Sequence, residues 1–468
     1  MKQNIDRRQF LKRFGLGATV TGLAIAGCDR AGRNITNISE AGSSASGNGE
    51  MTYRVNPGSG EKVSLLGYGC MRWPTVPNPS GEGEIIDQEA VNELVDYALA
   101  NGVNYFDTAP PYVQGLSEEA TGIALSRHPR DSYFLATKMS NHRLAREGLE
   151  GARLYDASVK MYRHSLKKLN TDYIDYYLLH NIGGDTGLPF LMQRFFDSGV
   201  LDFLLEEREA GRIRNLGFSY HGDVKVFDHM LSLHDRIHWD FVQIQLNYVD
   251  FRHASGANYN AEYLYGELTK RGIPAVVMEP LLGGRLASLT DHLNTRLKQR
   301  EPERSIASWA FRFAGTFPGV LTVLSGMTYK EHLLDNLHSF SPLKPLDDKE
   351  LAMLEEIATE MVKFPSVPCT GCEYCMPCPY GIDIPGIFAH YNKCVNEGNT
   401  PASSQSHDFR EARRTFLVGY DRSVPRLRQA SHCIGCGRCA PHCPQTIDIP
   451  SELHRIDHYV EDLKQGRI

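Results

Sequence analysis

Between residues 63 and 327 the sequence repeats one alternation eight times: a short apolar run, then an amphipathic one. The short runs are VSLLGYG, NYFDTA, YFLATKM, IDYYLLH, RNLGFSY, FVQIQLNYV, PAVVMEPLL and VLTVLSGM. They are rich in Val, Ile, Leu, Phe and Tyr, and most are bounded by Gly or Pro, the pattern of strands. Runs such as EAVNELVDYALANG and VKMYRHSLKKL lie between them and place apolar residues three and four apart, the pattern of helices. Eight strand–helix units over roughly 280 residues fit a closed parallel (β/α)8 barrel. A doubly wound open sheet competes, but no G-x-G-x-x-G turn follows the first strand.

The barrel is expected to occupy residues 53–364, ending after the helical run DDKELAMLEEIATEMV. The chain has 468 residues, 41% of them hydrophobic, enough for a sizeable core and a second, smaller domain. A net charge of -6, which no basic cluster overturns, argues against nucleic acid as a partner.

Residues 365–468 are of another kind. Nine of the eleven cysteines lie there, eight of them in two near-copies. The first is C-x2-C-x2-C-x2-C-P, with Cys369, Cys372, Cys375 and Cys378; the second is C-x2-C-x2-C-x3-C-P, with Cys433, Cys436, Cys439 and Cys443. YGIDIP and QTIDIP follow them, so the tail is an internal duplication. Three thiolates at this spacing can curl around one cubane iron–sulfur cluster, in a tight loop that Gly371 and Gly435 help to form. Zinc and disulfides are the alternatives, since C-x2-C pairs also make tetrahedral zinc sites and an exported chain can be oxidised. Neither requires a doubled triple-cysteine pattern with Pro after each fourth Cys. The tail resembles the bacterial two-cluster ferredoxins over about residues 365–455. That resemblance implies two 4Fe-4S clusters, each completed by the Cys-Pro cysteine of the other group. The first group is one residue short before its Cys-Pro, which bears on the placement of Cys378. Cys70 and Cys394 match no ligand spacing and are expected to be packed thiols.

The N-terminus reads as an address. Arg7 and Arg8 lead a basic stretch, RRQFLK, and an apolar, small-residue run from Phe14 to Gly27 is too short to span a bilayer. DRRQFLK resembles the twin-arginine export signal of bacteria, with Asp6 where Ser or Thr is usual. IAGC resembles a lipobox, which would make Cys28 a lipidated first residue; an ordinary cleavage site competes. The expectation is a signal over 1–28 and a Ser/Gly-rich tether over 29–52. The mature protein would be periplasmic, or a lipoprotein held at the membrane through Cys28 alone. The two ends support each other: cubane clusters are assembled in the reducing cytoplasm, and a twin-arginine signal exports chains that are already folded.

Within the barrel, NYFDTAPPY puts Asp107 at the end of the second strand and Tyr112 in the loop after it. FLATK and DYYLLH put Lys138 and His180 at the ends of the third and fourth. Barrel active sites form at these carboxyl ends. Singly, each residue has a bland role; four in order do not. The pattern resembles the aldo/keto reductases over roughly residues 60–340. That resemblance implies interconversion of a small-molecule carbonyl and alcohol by hydride transfer with NADP or NAD. Tyr112 would be the acid, Lys138 would lower its pKa from about 10, Asp107 would hold Lys138, and His180 would orient the substrate oxygen. By position, Ser219 and Gln243 would hold the carboxamide, Met278 would stand beside the nicotinamide, and Ser325, Gly326 and Asn336 would contact the rest of the cofactor. Gly326 and His332 stand where the family often has a basic clamp for a 2′-phosphate. Two long loops, NIGGDTGLPFLMQRFFDSG and FRHASGANYNAEY, are expected to cover the substrate. The reading is an exported aldo/keto reductase barrel fused to a two-cluster ferredoxin-like domain, with a redox partner protein. The rival is an iron–sulfur carrier or scaffold whose barrel does not catalyse.

Overall fold

Eight parallel strands close into a barrel in chain order: β1 (Leu66–Gly69), β2 (Tyr105–Asp107), β3 (Phe134–Met139), β4 (Ile174–Ile182), β5 (Ile213–Tyr220), β6 (Phe241–Gln245), β7 (Ala275–Met278) and β8 (Val320–Ser325). Pairing of Val323 with Leu66 and Ser325 with Tyr68 closes the ring. The computed structural model describes residues 50–81, 83–184, 187–256, 258–363 and 366–468. The expected signal, Cys28 and nearly all of the tether lie outside the described residues. At the tether's end the chain is already fixed: Met51 is buried, and the Thr52 amide donates to the Phe340 carbonyl at 3.0 Å.

Each strand is followed by at least one helix. The principal ones are α1 (Gln88–Ala100), α2 (Ser117–Leu125), α3 (Gly151–Lys168), α4 (Val200–Glu209), α5 (Val224–Ser232), α6 (Ala261–Lys270), α7 (Ile306–Thr316) and α8 (Lys330–Phe340). Side chains alternate across the strands. One set, including Tyr105, Tyr176, Phe241 and Leu321, fills the barrel interior; the other packs outward under the helices. A ninth helix, α9 (Asp348–Met361), starts at a capping box made by Asp347 and Glu350. The barrel–tail junction at 364–365 lies outside the described residues.

All eight apolar runs form barrel strands, with shifted ends. VSLLGYG divides: Lys62–Ser64 pairs antiparallel with Tyr53–Val55, and only Leu66–Gly69 enters the barrel. The two expected covering loops are partly helical, with turns at Gly187–Leu191, Met192–Phe196 and Asp250–His253.

The tail is a separate core of three helices, α10 (Ile384–Asn396), α11 (Phe409–Ser423) and α12 (Ile449–Gln465). The duplicated IDIP sequences start α10 and α12 in the same way. Asp383 and Asp448 accept from the amides of Gly386 and Ser451, and a Pro stands in the first turn. Ile384, Phe388, Phe416, Ile449 and Leu453 pack beneath the cysteines. Among the described residues no helix is long and apolar enough to cross a membrane.

Gly217 sets the spacing of β5 and β6. A Cβ there would lie 2.2 Å from the Phe241 carbonyl oxygen, which is backbone and cannot turn aside. Gly217→Ala is therefore expected to destabilise the chain by about 1–3 kcal/mol, read as a lower urea midpoint. An unchanged midpoint would mean that these strands sit further apart.

Candidate active site at the mouth of the barrel

The carboxyl ends of β2, β3 and β4 bring the four predicted residues together. Lys138 is fully buried, and its Nζ donates to Asp107 Oδ1 at 2.6 Å and to the Thr108 carbonyl at 2.8 Å. Burial pushes Asp107 up and Lys138 down, and their mutual attraction opposes both shifts. The ammonium lies 4.6 Å from the centre of the Tyr112 ring. His180 meets Tyr112 edge to face, with ring centres 6.1 Å apart. Its Nδ1 lies 2.6 Å from Ser140 Oγ. With that hydroxyl donating, the one proton of a neutral ring is left on Nε2. Burial, then neighbouring Lys138, His142 and Arg194, hold the His180 pKa well below its ordinary value, so the ring is neutral.

One expectation fails. The net shift of the Tyr112 pKa is upward, not downward. Burial pushes that phenol well above its ordinary range, and Tyr374, Asp107, Cys70 and Glu279 add to the rise. The Lys138 charge is spent on Asp107, beneath the ring.

Tyr374 was not foreseen. It stands between Cys372 and Cys375, yet its side chain enters the barrel mouth. Its phenol lies close to that of Tyr112, and each raises or lowers the other's acidity. Its ring stacks on His142 at 6.3 Å and meets His180 edge-on at 6.3 Å. The cysteine loop is seated by close contacts. Arg72 donates to the Thr370 carbonyl at 2.7 Å, and Arg285 donates to Ser366 at 2.6 Å. Asn258 and Gln445 are hydrogen-bonded across the same junction. A Cβ on Gly283 would come 2.6 Å from Thr370 Cα.

These contacts border a partly open cavity of ≈ 680 Å³. Asp107, Tyr112, Lys138 and His180 line one end, and the loop Cys369–Tyr374 and the face of α10 line the other. The two loops expected as a cover contribute only Asn181 among the described residues; the cysteine domain is the cover. The first loop acts from behind instead. Its buried Arg194 donates to the carbonyls of His180 and Asn181 at 2.6 and 2.9 Å, which fixes the end of β4.

Ser219, Gln243, Met278, Ser325 and Gly326 all line this cavity. Asn336 does not; it is buried, and its amide donates to Ser325 Oγ at 2.9 Å. Gln243 Oε1 and Asn181 Oδ1 are buried acceptors with no partner. Two such acceptors on the wall fit the amide group of a nicotinamide. Asn181 was missed, although it directly follows His180. The absent basic residue at 326 has a steric reason: a Cβ there would lie 2.7 Å from Arg72 Cγ. His332 instead packs on Tyr329.

The eight tail cysteines sort into two crossed sets. Cys369, Cys372 and Cys375 have Cys443 as a neighbouring charge, and these four line one small void. Cys378 joins Cys433, Cys436 and Cys439, so the short first group still delivers it across. Gly371 and Gly435 turn the loops with φ of 62° and 70°. Burial pushes Cys369 up to about 11 and Cys372 up to about 12. Thiolates so placed need positive charge among them, which suits iron. Among the described residues no group of three or more His, Cys, Asp or Glu stands as the ligands of a single metal ion. No disulfide joins the described cysteines, and Cys70 and Cys394 are buried.

Comparison with known proteins follows this division. The model of the aldo/keto reductase family matches residues 65–359, and that of the 4Fe-4S dicluster domain matches residues 368–448. Protein tas of Escherichia coli (strain K12) is 32% identical over 188 residues, 36% of this chain and 52% of that protein. The chain thus spans about half the length of that curated relative. L-galactose dehydrogenase of Arabidopsis thaliana is 25% identical over 329 residues, 64% of this chain and 92% of that protein. The solved structure of the thermostable aldo-keto reductase Tm1743 with the inhibitor epalrestat aligns with a TM-score of 0.50 at 23% identity. It covers 66% of this chain and 100% of that one, a likeness of fold. With the first match running through all eight strands, the chain belongs to the aldo/keto reductase family, and its tail is a 4Fe-4S dicluster domain.

Proposed function

We propose that the protein is an exported oxidoreductase that interconverts a small carbonyl compound and its alcohol, with two 4Fe-4S clusters for electron transfer to a redox partner. The observation that carries the reading is the cavity itself: Tyr112 and neutral His180 face it above the buried Lys138–Asp107 pair. A bound nicotinamide would supply the hydride to the carbonyl carbon. Ser219, Gln243 and Asn181 would hold its amide, and Met278 would flank its ring. His180 donates to the carbonyl oxygen, and Tyr112 gives that oxygen its proton. A phenol held above its ordinary range keeps its proton until negative charge develops on the substrate. Tyr374 then hydrogen-bonds the phenolate left on Tyr112. The crossed thiol sets support two clusters. Arg7, Arg8 and the lipobox-like IAGC support export by the twin-arginine route, with Cys28 as a lipid anchor. A barrel that only scaffolds the clusters is the competing reading.

Turnover with a panel of carbonyls separates the two, using a nicotinamide donor and a low-potential donor in turn. Tyr112→Phe should lower it roughly 10²–10⁴-fold, and Tyr374→Phe about 10–100-fold through loss of one hydrogen bond to a charge. Activity untouched by Tyr112→Phe would leave the scaffold reading. Anaerobically purified protein should hold about eight iron and eight sulfide per chain. Four of each would mean one cluster, and zinc without sulfide none. The double replacement Arg7→Lys and Arg8→Lys should abolish export of a chain that still folds; normal export would point to another route. Cys28→Ser should release the mature protein from membranes, and continued membrane retention would exclude a lipid there.

A further inference from the structure

The two thiol sets are placed unequally. The set of Cys369, Cys372, Cys375 and Cys443 faces the barrel cavity and the tail's core. In the other set Cys436 is exposed. Around it the surface is unlike the rest of the chain. Leu427 is 81% exposed, Ile434 63% and Tyr380 47%. Arg426, Arg428 and Arg438 are exposed beside them, and none is paired with an acid among the described residues. Residues 423–447 contain no Asp or Glu, in a chain whose net charge is -6. The segments meet in space: the Asp383 amide donates to the Arg428 carbonyl at 3.0 Å, and Arg428 Nε donates to the Gly381 carbonyl at 3.3 Å. The nearest acids are engaged elsewhere. Asp383 caps α10, Asp448 caps α12, Asp421 accepts from Gln429 at 3.0 Å, and Glu452 pairs with Arg455 at 2.6 Å.

We propose that this face, apolar at Leu427, Ile434 and Tyr380 and basic at Arg426, Arg428 and Arg438, docks a small acidic one-electron carrier protein at Cys436. The inference rests on the iron–sulfur reading above. Exposed aliphatic side chains around a thin rim of like charge suit a brief encounter, steered by charge and seated by apolar contact. Each encounter moves one electron and makes or breaks no bond; the carrier is oxidised as the chain is reduced, or the reverse.

Holoprotein is tested with an acidic flavodoxin-type carrier as the probe and a basic cytochrome as the control. The readouts are equilibrium binding and association rate against salt. Wild type should bind the acidic probe, more weakly as salt rises, and should not bind the basic one. Arg426→Glu with Arg438→Glu should slow association about 10–100-fold at low salt and far less at high salt. Leu427→Ser with Ile434→Ser should instead speed dissociation. Iron and sulfide content, unchanged in both variants, shows that the domain is intact. Equal binding by wild type and the arginine variant, or a preference for the basic carrier, overturns the proposal. A chain without iron and sulfide overturns the reading beneath it, and the proposal with it, and is told apart by the metal analysis.

Discussion

The contact on which the assembly turns is the approach of Thr370 to Gly283. A Cβ at Gly283 would sit 2.6 Å from Thr370 Cα, so the cysteine loop and the turn after β7 meet backbone to backbone. Gly283 has a φ of 66°, which L side chains rarely adopt, so this position needs glycine on two counts. Arg72 completes the seat. It holds the Thr370 carbonyl and fills the space over Gly326. From that seat the chain runs one turn further and delivers Tyr374 to Tyr112. The barrel mouth becomes a partly covered cavity, and the first thiol set becomes part of its wall.

This closure changes the electrostatics of the barrel. A carboxylate, an ammonium, a phenol and an imidazole are all withdrawn from water. Only the first two compensate each other, across 2.6 Å. The phenol and the imidazole respond by staying neutral. That leaves one donor N–H and one donor O–H beside the cavity, which suits a polarised carbonyl oxygen and not an anion already formed. Ser140 and Arg194 act on His180 from behind, one through the ring nitrogen and one through the backbone.

Much of this was legible in the sequence because it is local. The eight strands show in apolar runs, and Asp107, Lys138 and His180 could be placed because each sits near the end of such a run. The crossed cysteines were implied by the resemblance to two-cluster ferredoxins, and a missing residue before Cys378 did not prevent the exchange. What was hidden depends on contacts distant in sequence. Nothing in CTGCEYC says that its Tyr reaches the barrel. No local pattern shows that Arg72 excludes a side chain at 326, or that Asn336 turns to Ser325. The sign of the Tyr112 shift was missed for the same reason. Adjacency of Lys138 could be inferred, whereas the burial that outweighs it comes from the tail.

The central claim is that the cysteine domain and the barrel share one site. It is tested most directly by a redox titration of the holoprotein, followed by electron paramagnetic resonance, with and without saturating NADP⁺. A cationic ring bound by Ser219, Gln243 and Asn181 would lie on the cavity shared with Cys369 and Cys372. It should raise the potential of one cluster signal and leave the other in place. Two signals that keep their potentials when the nucleotide is bound would contradict a shared site.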